Sequence, residues 1–479
     1  MFNRLLNQLW RFCGARATVG LRRRTGGFAV RLTNGFLLML AVPAGAAWAS
    51  DGTPMLTLAA AVDTALTRNS AILEAHARRD AAGAVRREAR ALRLPHLQIR
   101  EIAIHPDAPA DAFGLTLMQE RFSLAEFSAG DPNQPEAVDN FATEFEAVWP
   151  VFVGGRIMAG IDQAGQMHSA AESVHAHTRE AVALATASAY IDAVLADEAA
   201  RLAQRARDTT ARHVDQAQAR FDAGMMVESD LLQARVQLAR MDEKLIAASN
   251  AASLARARLF QIMGIEQGAD FALDDNIASL EVPVASLQDA IGGAFERRYD
   301  LRAAQAHLRA ADSGIKRAQG EYWPQLTLMA RYSLNDDIVF GSHGESYALM
   351  AVARWNVLDW GQTRARVGVA RAERVVAEQA HRSRRQTAEF EVRQAWVKAA
   401  DARARLDVAA GAVTQADRAL RILEDRFDQG VVRMDDLLDA ETALDDARVR
   451  ELNARFDVQR TSRALAFAVG LPPVPEVLP

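Results

Sequence analysis

The 479-residue chain has a single cysteine, Cys13, and only 6 % aromatic residues. Because Cys13 lies in the N-terminal leader described below, we expect the mature protein to have no disulfide, no thiol chemistry and no N-terminal lipid anchor on cysteine. The sequence after the leader has no run of 18 apolar residues, which argues against a transmembrane helix. It has no nucleophile–base pair and no acid dyad, and Gly154-Gly155 lacks the lysine of a phosphate-binding loop. We therefore predict that the protein is not an enzyme and has no cofactor.

The first 49 residues carry seven arginines and no acidic residue. An apolar run over residues 36–42 follows Arg31, and Ala47-Trp48-Ala49 precedes Ser50 in the pattern of a signal-peptidase site. We predict a secretory signal peptide over residues 1–49, cleaved between Ala49 and Ser50; the Arg22-Arg23-Arg24 run leaves twin-arginine export as an alternative. Without the leader, 49 basic residues face 61 acidic ones. The resulting net charge of −12 disfavours nucleic acid as a partner.

The rest of the chain is an internal duplication. A turn motif in which Gly precedes Asp-Leu-Leu occurs at residues 221–234 and again, 206 positions later, at residues 427–440. Gly224 and Gly430 suit the left-handed conformation just past a helix end, and Ser229 or Asp435 can cap the next helix. The same offset relates other residues: Trp149, Val151, Gly155 and Gly264 recur as Trp355, Val357, Gly361 and Gly470.

Upstream of the strands the offset is 229, as Leu58 and Pro95 recur at Leu287 and Pro324. The first half therefore carries a 23-residue insertion between Pro95 and Trp149. A fixed period predicts one architecture built twice. We predict a first repeat over residues 50–282, a second over residues 283–471, and a Pro-rich, unpaired tail over residues 472–479.

The sequence of each half predicts helices on both sides of a pair of strands. Helices over about 58–92 and 287–320 break near Asn69 and Tyr299. Four further helices are predicted at about 156–221, 228–263, 362–427 and 434–469, and four strands at about 97–104, 141–152, 325–334 and 346–357. At 1.5 Å per residue, the two longest helices would each measure roughly 100 Å. From Leu231 to Leu259, apolar residues recur every seven positions, which is typical of a coiled coil.

The strands alternate apolar and polar residues, with aromatics near their ends. An apolar face of this length suits a strand that crosses a bilayer at a tilt. Four strands cannot close a barrel, and an open sheet edge in lipid would leave backbone groups without partners. Several chains must therefore share one barrel: two chains would give eight strands filled by side chains, and three would give twelve strands around a lumen.

The signal peptide, the duplicated halves, the Pro150-Val151-Phe152-Val153-Gly154-Gly155 segment and the Gly-x-x-x-x-x-Asp-Leu-Leu turn resemble TolC-type outer-membrane efflux proteins. The resemblance implies a mainly α fold with a small β part: a coiled-coil tunnel in the periplasm joined to a shared trimeric β-barrel in outer-membrane lipid. It also implies a homotrimer that docks to a periplasmic adaptor and an inner-membrane pump. The function would be an exit duct for tripartite efflux or type I secretion; the alternative is a periplasmic coiled-coil adaptor or scaffold without a pore.

The resemblance places both turns at the periplasmic tip. Asp436 and Asp439 share one helical face and would form two stacked carboxylate rings in a trimer, with Asp230 in the first half. Such rings would favour cations and raise their own proton affinity; the alternative is a solvated acidic helix start. We expect Arg433 to pair with Asp230 or a neighbouring acid. The turns predicted to dock the adaptor are Gly224, Met225, Met226 and Val227, and Gly430, Val431, Val432 and Arg433.

Two other residue groups have more than one interpretation. His168, Glu172 and His175 lie on one helical face with metal-ligand spacing, with His177 nearby. A polar stripe on a solvated coiled coil explains the same pattern, and we predict no metal site. The aromatic residues at the strand ends are predicted to anchor the barrel at the membrane interface: Trp149, Trp355, Trp323 and Tyr322.

Overall fold

The computed structural model describes residues 55–131, 133–269, 271–429 and 431–477. The predicted signal peptide, its cleavage site at Ala49 and Ser50, and Gly430 lie outside the described residues. No described helix combines the length and the apolar character needed to cross a membrane.

Long helices dominate the described chain. In chain order they are α1 (Leu58–Arg68), α2 (Ser70–Ala91), α3 (Pro109–Met118), α4 (Leu124–Ala129), α5 (Arg156–Asp222), α6 (Glu228–Met263), α7 (Leu287–Arg297), α8 (Tyr299–Gln319), α9 (Gln362–Asp428) and α10 (Met434–Val469). The strands are β1 (Met55–Leu56), β2 (His96–Ile104), β3 (Asn140–Val153), β4 (Ala272–Leu273), β5 (Gln325–Asp336) and β6 (Ser346–Arg354).

The helix breaks predicted near Asn69 and Tyr299 are present, and an equivalent side-chain hydrogen bond fixes each of them. Asn69 separates α1 from α2, and its side-chain amide donates to the Ile262 carbonyl at 2.7 Å. Arg298 separates α7 from α8 and donates to the Ala468 carbonyl at 3.3 Å. Ile262 and Ala468 are 206 positions apart, so the two breaks are fixed by equivalent bonds to the ends of α6 and α10.

Strands β2, β3, β5 and β6 form one antiparallel sheet in that order. Each strand continues into a helix, and the helices keep the same order: α2 packs on α5, α5 on α8, and α8 on α9. Further along, α6 packs on α5, and α10 joins α5 to α9. Within the described chain, the outer edges of β2 and β6 have no partner strand, as expected for a barrel completed by other copies.

The main hydrophobic core lies where α1, α5, α6 and the small β1–β4 pair meet. Tyr190 is fully buried there, and its hydroxyl lies 2.7 Å from the Leu56 carbonyl and 2.9 Å from the Asp274 carbonyl. The same core corrects the expectation of an unpaired tail. Val474 is 1 % exposed and packs in this cluster, because the chain turns back onto it after Gly470.

One strand boundary needs correction, and one pair of helices was not predicted. Strand β6 ends at Arg354, three residues before the predicted end, because its partner β5 begins at Gln325 and the last pair is Gln325 with Arg354. No helix was predicted between β2 and β3, yet the segment contains α3 and α4. Pro109 at the first turn of α3 and Asp111 in the same turn are the usual residues of a helix start.

Candidate functional site at the helical tip

Two tight reversals form the end of the helical part. Gly224 lies just past the end of α5 and has φ of 72°, the left-handed conformation predicted for it. The Met225 amide donates to the Arg220 carbonyl at 2.8 Å, and the Val431 amide donates to the Arg426 carbonyl at 2.9 Å. The same bond, spanning the same number of residues, therefore closes both long helices.

A buried apolar cluster, which we call the tip cluster, fastens the two hairpins together. Its buried members come from α5, α6, α9 and α10: Ala217, Leu231, Ala234, Phe427, Met434, Leu437 and Leu438. The turn residues Met226 and Val432 pack against it. The Arg220 guanidinium carbon lies 4.4 Å from the centre of the Phe427 ring, a cation–π contact across the hairpins.

The acidic residues proposed for the gate stand on the opposite side of α10 from this cluster. Asp436 and Asp439 are exposed, whereas Leu437 and Leu438 are buried. Asp230, at the start of α6, is partly buried. The carboxylate of Asp436 also accepts from the Arg433 amide at 3.3 Å and so caps α10. Asp436 and Asp439 thus share an exposed face of α10. Asp436 also fits the alternative interpretation, because its carboxylate caps the start of this helix.

Of the two partners expected for Arg433, Asp230 or a neighbouring acid, the structure shows the neighbouring acid. The Arg433 side chain is 70 % exposed and contacts Asp435, with Nε 3.5 Å from Oδ1. Asp435 is only two residues away, so this contact does not connect the hairpins. Among the turn residues, Met225, Val227 and Val431 are exposed apolar side chains, which are typical of a surface that another protein covers.

A connection between the hairpins lies deeper, and sequence reasoning missed it. His213 on α5 and Glu441 on α10 are 14 % and 10 % exposed, and their Nε2 and Oε1 atoms are 2.5 Å apart. Bonding to Glu441 raises the pKa of His213 above its ordinary value, against the opposing effect of burial. Gln237 on α6 adds a hydrogen bond of 3.0 Å to Thr442 on α10. The feature that could have indicated this contact is a histidine on α5 that lies one turn from the tip cluster.

The histidine stripe shows short-range contacts between side chains. His168 Nδ1 lies 3.6 Å from Glu172 Oε1, and His175 stacks edge-on against His76 with ring centres 5.8 Å apart. Arg79 and other cations lower the pKa of His175, although burial is the largest cause. Over the residues that the structure covers, no three His, Cys, Asp or Glu side chains converge as metal ligands would.

The sheet has one polar and one apolar face. On the polar face Arg100 contacts Glu144 at 2.8 Å and Glu146 at 2.9 Å. The opposite face carries Phe145 and Tyr332, which are paired across β3 and β5. At the helical end of this apolar face, Trp149 donates to the Arg93 carbonyl and Trp355 to the Tyr322 carbonyl, both at 3.1 Å. The role of these indoles at a membrane interface stays a prediction.

The insertion folds over the polar face at the other end of the sheet. Gln119, at the end of α3, is fully buried and donates to the Asn140 side chain at 3.0 Å and to the Asp139 carbonyl at 2.7 Å. Asn140 donates in turn to Asn335 on β5 at 3.3 Å. Because Asn140 lies on the same face as Glu144 and Glu146, the insertion contacts the polar face of the sheet.

Comparison with known proteins identifies the family. The profile of the family described as outer membrane efflux protein matches residues 61–265 and 290–471, which is most of the chain. The chain belongs to this family. It is 24 % identical over 316 residues to the outer membrane protein TolC of Vibrio cholerae, covering 65 % of this chain and 72 % of TolC.

Solved channels share the fold. The CmeC outer membrane channel of Campylobacter jejuni is 17 % identical with a TM-score of 0.75, covering 86 % of this chain and 85 % of CmeC. The open-state MtrE outer membrane channel of Neisseria gonorrhoeae is 20 % identical with a TM-score of 0.72, covering 88 % of this chain and 91 % of MtrE.

The channel is therefore an outer-membrane efflux protein that extends into the periplasm, and its four strands belong to a shared trimeric barrel. The polar face of the sheet lines the barrel interior, and the apolar face meets lipid. The family is one of transport channels, and the alternative of an adaptor or scaffold without a pore is not supported.

Proposed function

We propose that three copies of this chain form the passive exit duct of a tripartite efflux or type I secretion system, with a gate at the periplasmic tip. A periplasmic adaptor and an inner-membrane pump would complete the system and supply its energy. The open edges of β2 and β6 support the trimer, because three chains contribute twelve strands, and a barrel of that number has room for a lumen.

The observation that carries the gate is the exposed pair of acids at the start of α10. The tip cluster buries Met434, Leu437 and Leu438, so the side of α10 that bears Asp436 and Asp439 is left free. Around a threefold axis this face gives two rings of three carboxylates. A narrow ring of like charges attracts cations and repels anions at short range, so the proposed gate is cation-selective.

The proposed adaptor surface consists of the exposed apolar turn residues Met225, Val227 and Val431. Each stands beside a residue that packs inward, Met226 or Val432, so the turns are held in place from beneath. Exposed apolar side chains on a rigid base are suited to a protein partner, since little conformational entropy is lost when they are covered.

Single-channel recording in planar bilayers tests the gate. Asp436→Asn with Asp439→Asn removes both charges while keeping an oxygen that can still accept from the Arg433 amide. We expect the potassium-to-chloride permeability ratio to fall severalfold, because six carboxylates are lost per trimer. Asp435→Asn is the matched control, because it removes a charge from the same helical turn. The Asp435 carboxylate contacts Arg433 and is not part of the proposed rings, so the permeability ratio should stay near that of the unmodified channel.

An unchanged ratio in the double variant would leave the duct intact and reject the acidic gate. A purified trimer that gives no conductance in any variant would reject the duct itself.

A further inference from the structure

A groove of about 720 Å³ lies where the first half passes from sheet to helices. One wall is the last part of α2, with Val85 and Ala89, and the other is the start of α5, with Ile157 and Gly160. The groove is of a size that holds a small ligand. Its lining is largely aliphatic, so it favours an apolar chain over water.

The groove opens toward the barrel interior. Pro150 and Val153 line it, and they are paired with Thr327 and Gln325 of β5. Both pairs lie on the polar face of the sheet, whereas the bulge after Pro150 turns Phe152 to the apolar face with Leu326. A solute that travels along the duct would therefore meet this groove, and a lipid outside the barrel would not.

The second half does not repeat the groove. At the offset of 206, Gly160 corresponds to Arg366, and at the offset of 229, Leu92 corresponds to Glu321. Arg366 and Glu321 form an ion pair of 2.6 Å across the equivalent gap between α8 and α9. The first half has glycine and leucine in their place, so the gap there stays open and apolar.

Two arginines give the groove its charge. Arg156 and Arg317 both line it, against one acid, Glu88. Within the described chain neither arginine has a carboxylate in ion-pair contact, and the Arg317 guanidinium lies 3.5 Å from the Gln163 side-chain oxygen. A guanidinium without a carboxylate partner is suited to carboxylate, sulfate or phosphate oxygens.

We infer that this groove is a binding site inside the duct for amphipathic anions: an aliphatic chain lies between α2 and α5, and the anionic head contacts Arg156 and Arg317. The inference rests on the proposed function, because it places the site on the path of exported solutes. It identifies a class of solute that the channel would hold for longer during passage: linear amphiphiles with a single negative group. Each trimer would have three such sites.

Single-channel recording with decyl sulfate added to the tunnel side, below its micelle-forming concentration, tests the site. We expect brief, concentration-dependent reductions of current in the unmodified channel. Decyltrimethylammonium has the same chain and the opposite charge, and at equal concentration it should give an occupancy at least about tenfold lower, because losing a charge-assisted hydrogen bond costs about that factor.

The variant Gly160→Leu fills the groove from within. A side chain at this position meets no atom within 4 Å at its first carbon, so the backbone need not move. We expect the occupancy by decyl sulfate to fall at least about tenfold while the unblocked conductance is kept. Gly368→Leu is the matched control: it also lies in the first turns of a long helix with open space around it, but outside the groove.

Arg156→Gln and Arg317→Gln, made singly and together, test the head-group contact. The double variant should lose the preference for decyl sulfate over decyltrimethylammonium. The inference is overturned if the two amphiphiles block the unmodified channel equally, or if block by decyl sulfate persists in Gly160→Leu. In both cases the open-channel current would still show a working duct. A failed duct is recognised separately, by the absence of current before any amphiphile is added.

Discussion

The buried pair of His213 and Glu441 connects the two hairpins above the tip, and its removal should loosen the tip without unfolding the rest of the channel. In the variant His213→Leu, the Glu441 carboxylate keeps its buried position and loses its cationic partner. Breaking a buried pair from one side costs about 3–5 kcal/mol. Glu441→Met should cost less, because the histidine left behind can lose its proton and become neutral.

Hydrogen exchange of the tip segments measures this cost in the intact trimer. If local opening becomes easier by about 3 kcal/mol, amides near the start of α10 and the end of α5 should exchange about 150-fold faster. The double variant His213→Leu/Glu441→Met replaces both partners with apolar side chains, so it should recover most of the protection. Peptides from α1 and the sheet serve as internal controls and should not change.

The same pair predicts a pH dependence. Because the folded tip raises the pKa of His213 above the ordinary value near 6.5, protonation stabilises the closed hairpins. This contribution is complete below the unfolded pKa and is lost as pH rises through the raised folded pKa, with a slope of at most about 1.4 kcal/mol per pH unit. Glu424 also raises this pKa, and burial raises that of the neighbouring Asp445.

After correction for intrinsic exchange, the tip of the unmodified channel should therefore lose protection on the alkaline side, and the slope should disappear in His213→Leu. The reasoning is refuted if single variants stay within about threefold of the unmodified protection. It is equally refuted if the double variant loses as much as both single variants added together, since that outcome means that the two side chains are not coupled.

Three further substitutions test other parts of the structure. Gln119→Leu leaves the Asn140 side-chain oxygen without its donor, so the insertion should open more often and the mean single-channel conductance should rise. Gly224→Val places a branched side chain at positive φ and should lower the midpoint of thermal unfolding measured at the tip, by an amount equivalent to about 1–2 kcal/mol, whereas Gly224→Asn should cost less. Arg298→Met removes one of the two arginines that contact the buried Asp300 and leaves Arg384 in place, so in denaturant titrations it should destabilise the trimer by less than the roughly 3–5 kcal/mol of a fully unpaired buried charge.

The sequence predicted the helices well because each long helix is bounded by residues with a local structural role. The ends of α6 and α10 were predicted at the observed residues, since Gly264 and Gly470 adopt positive φ in the structure. The breaks at Asn69 and Arg298 were predicted within one residue. Their tertiary bonds, to the carbonyls of Ile262 and Ala468, could not be predicted, because they depend on which helix ends pack beside them.

The missed features depend on packing between segments that are distant in sequence. Val474 looked like part of a free tail because proline-rich ends rarely form elements, yet it fills a gap beside α5 that only the folded chain creates. His213 and Glu441 are 228 positions apart, and each has the appearance of an ordinary polar residue on a coiled coil. The groove at Gly160 was equally invisible, because a glycine inside a helix indicates open space only when its neighbours are known.

The differences between the two halves show where the duplicated chain has become specialised. At the tip, Asp436 and Asp439 correspond to Asp230 and Gln233, so a trimer with six similar hairpins has its strongest charge on only three of them. At the helix breaks, neutral Asn69 corresponds to Arg298, which is bonded to Asp300 at 2.8 Å. A channel with sixfold equivalence would have to open all six hairpins alike. With the acids on one set of hairpins and the buried His213–Glu441 pair between the two sets, one hairpin of each chain can move relative to the other, and the proposed gate can respond to a change at this pair.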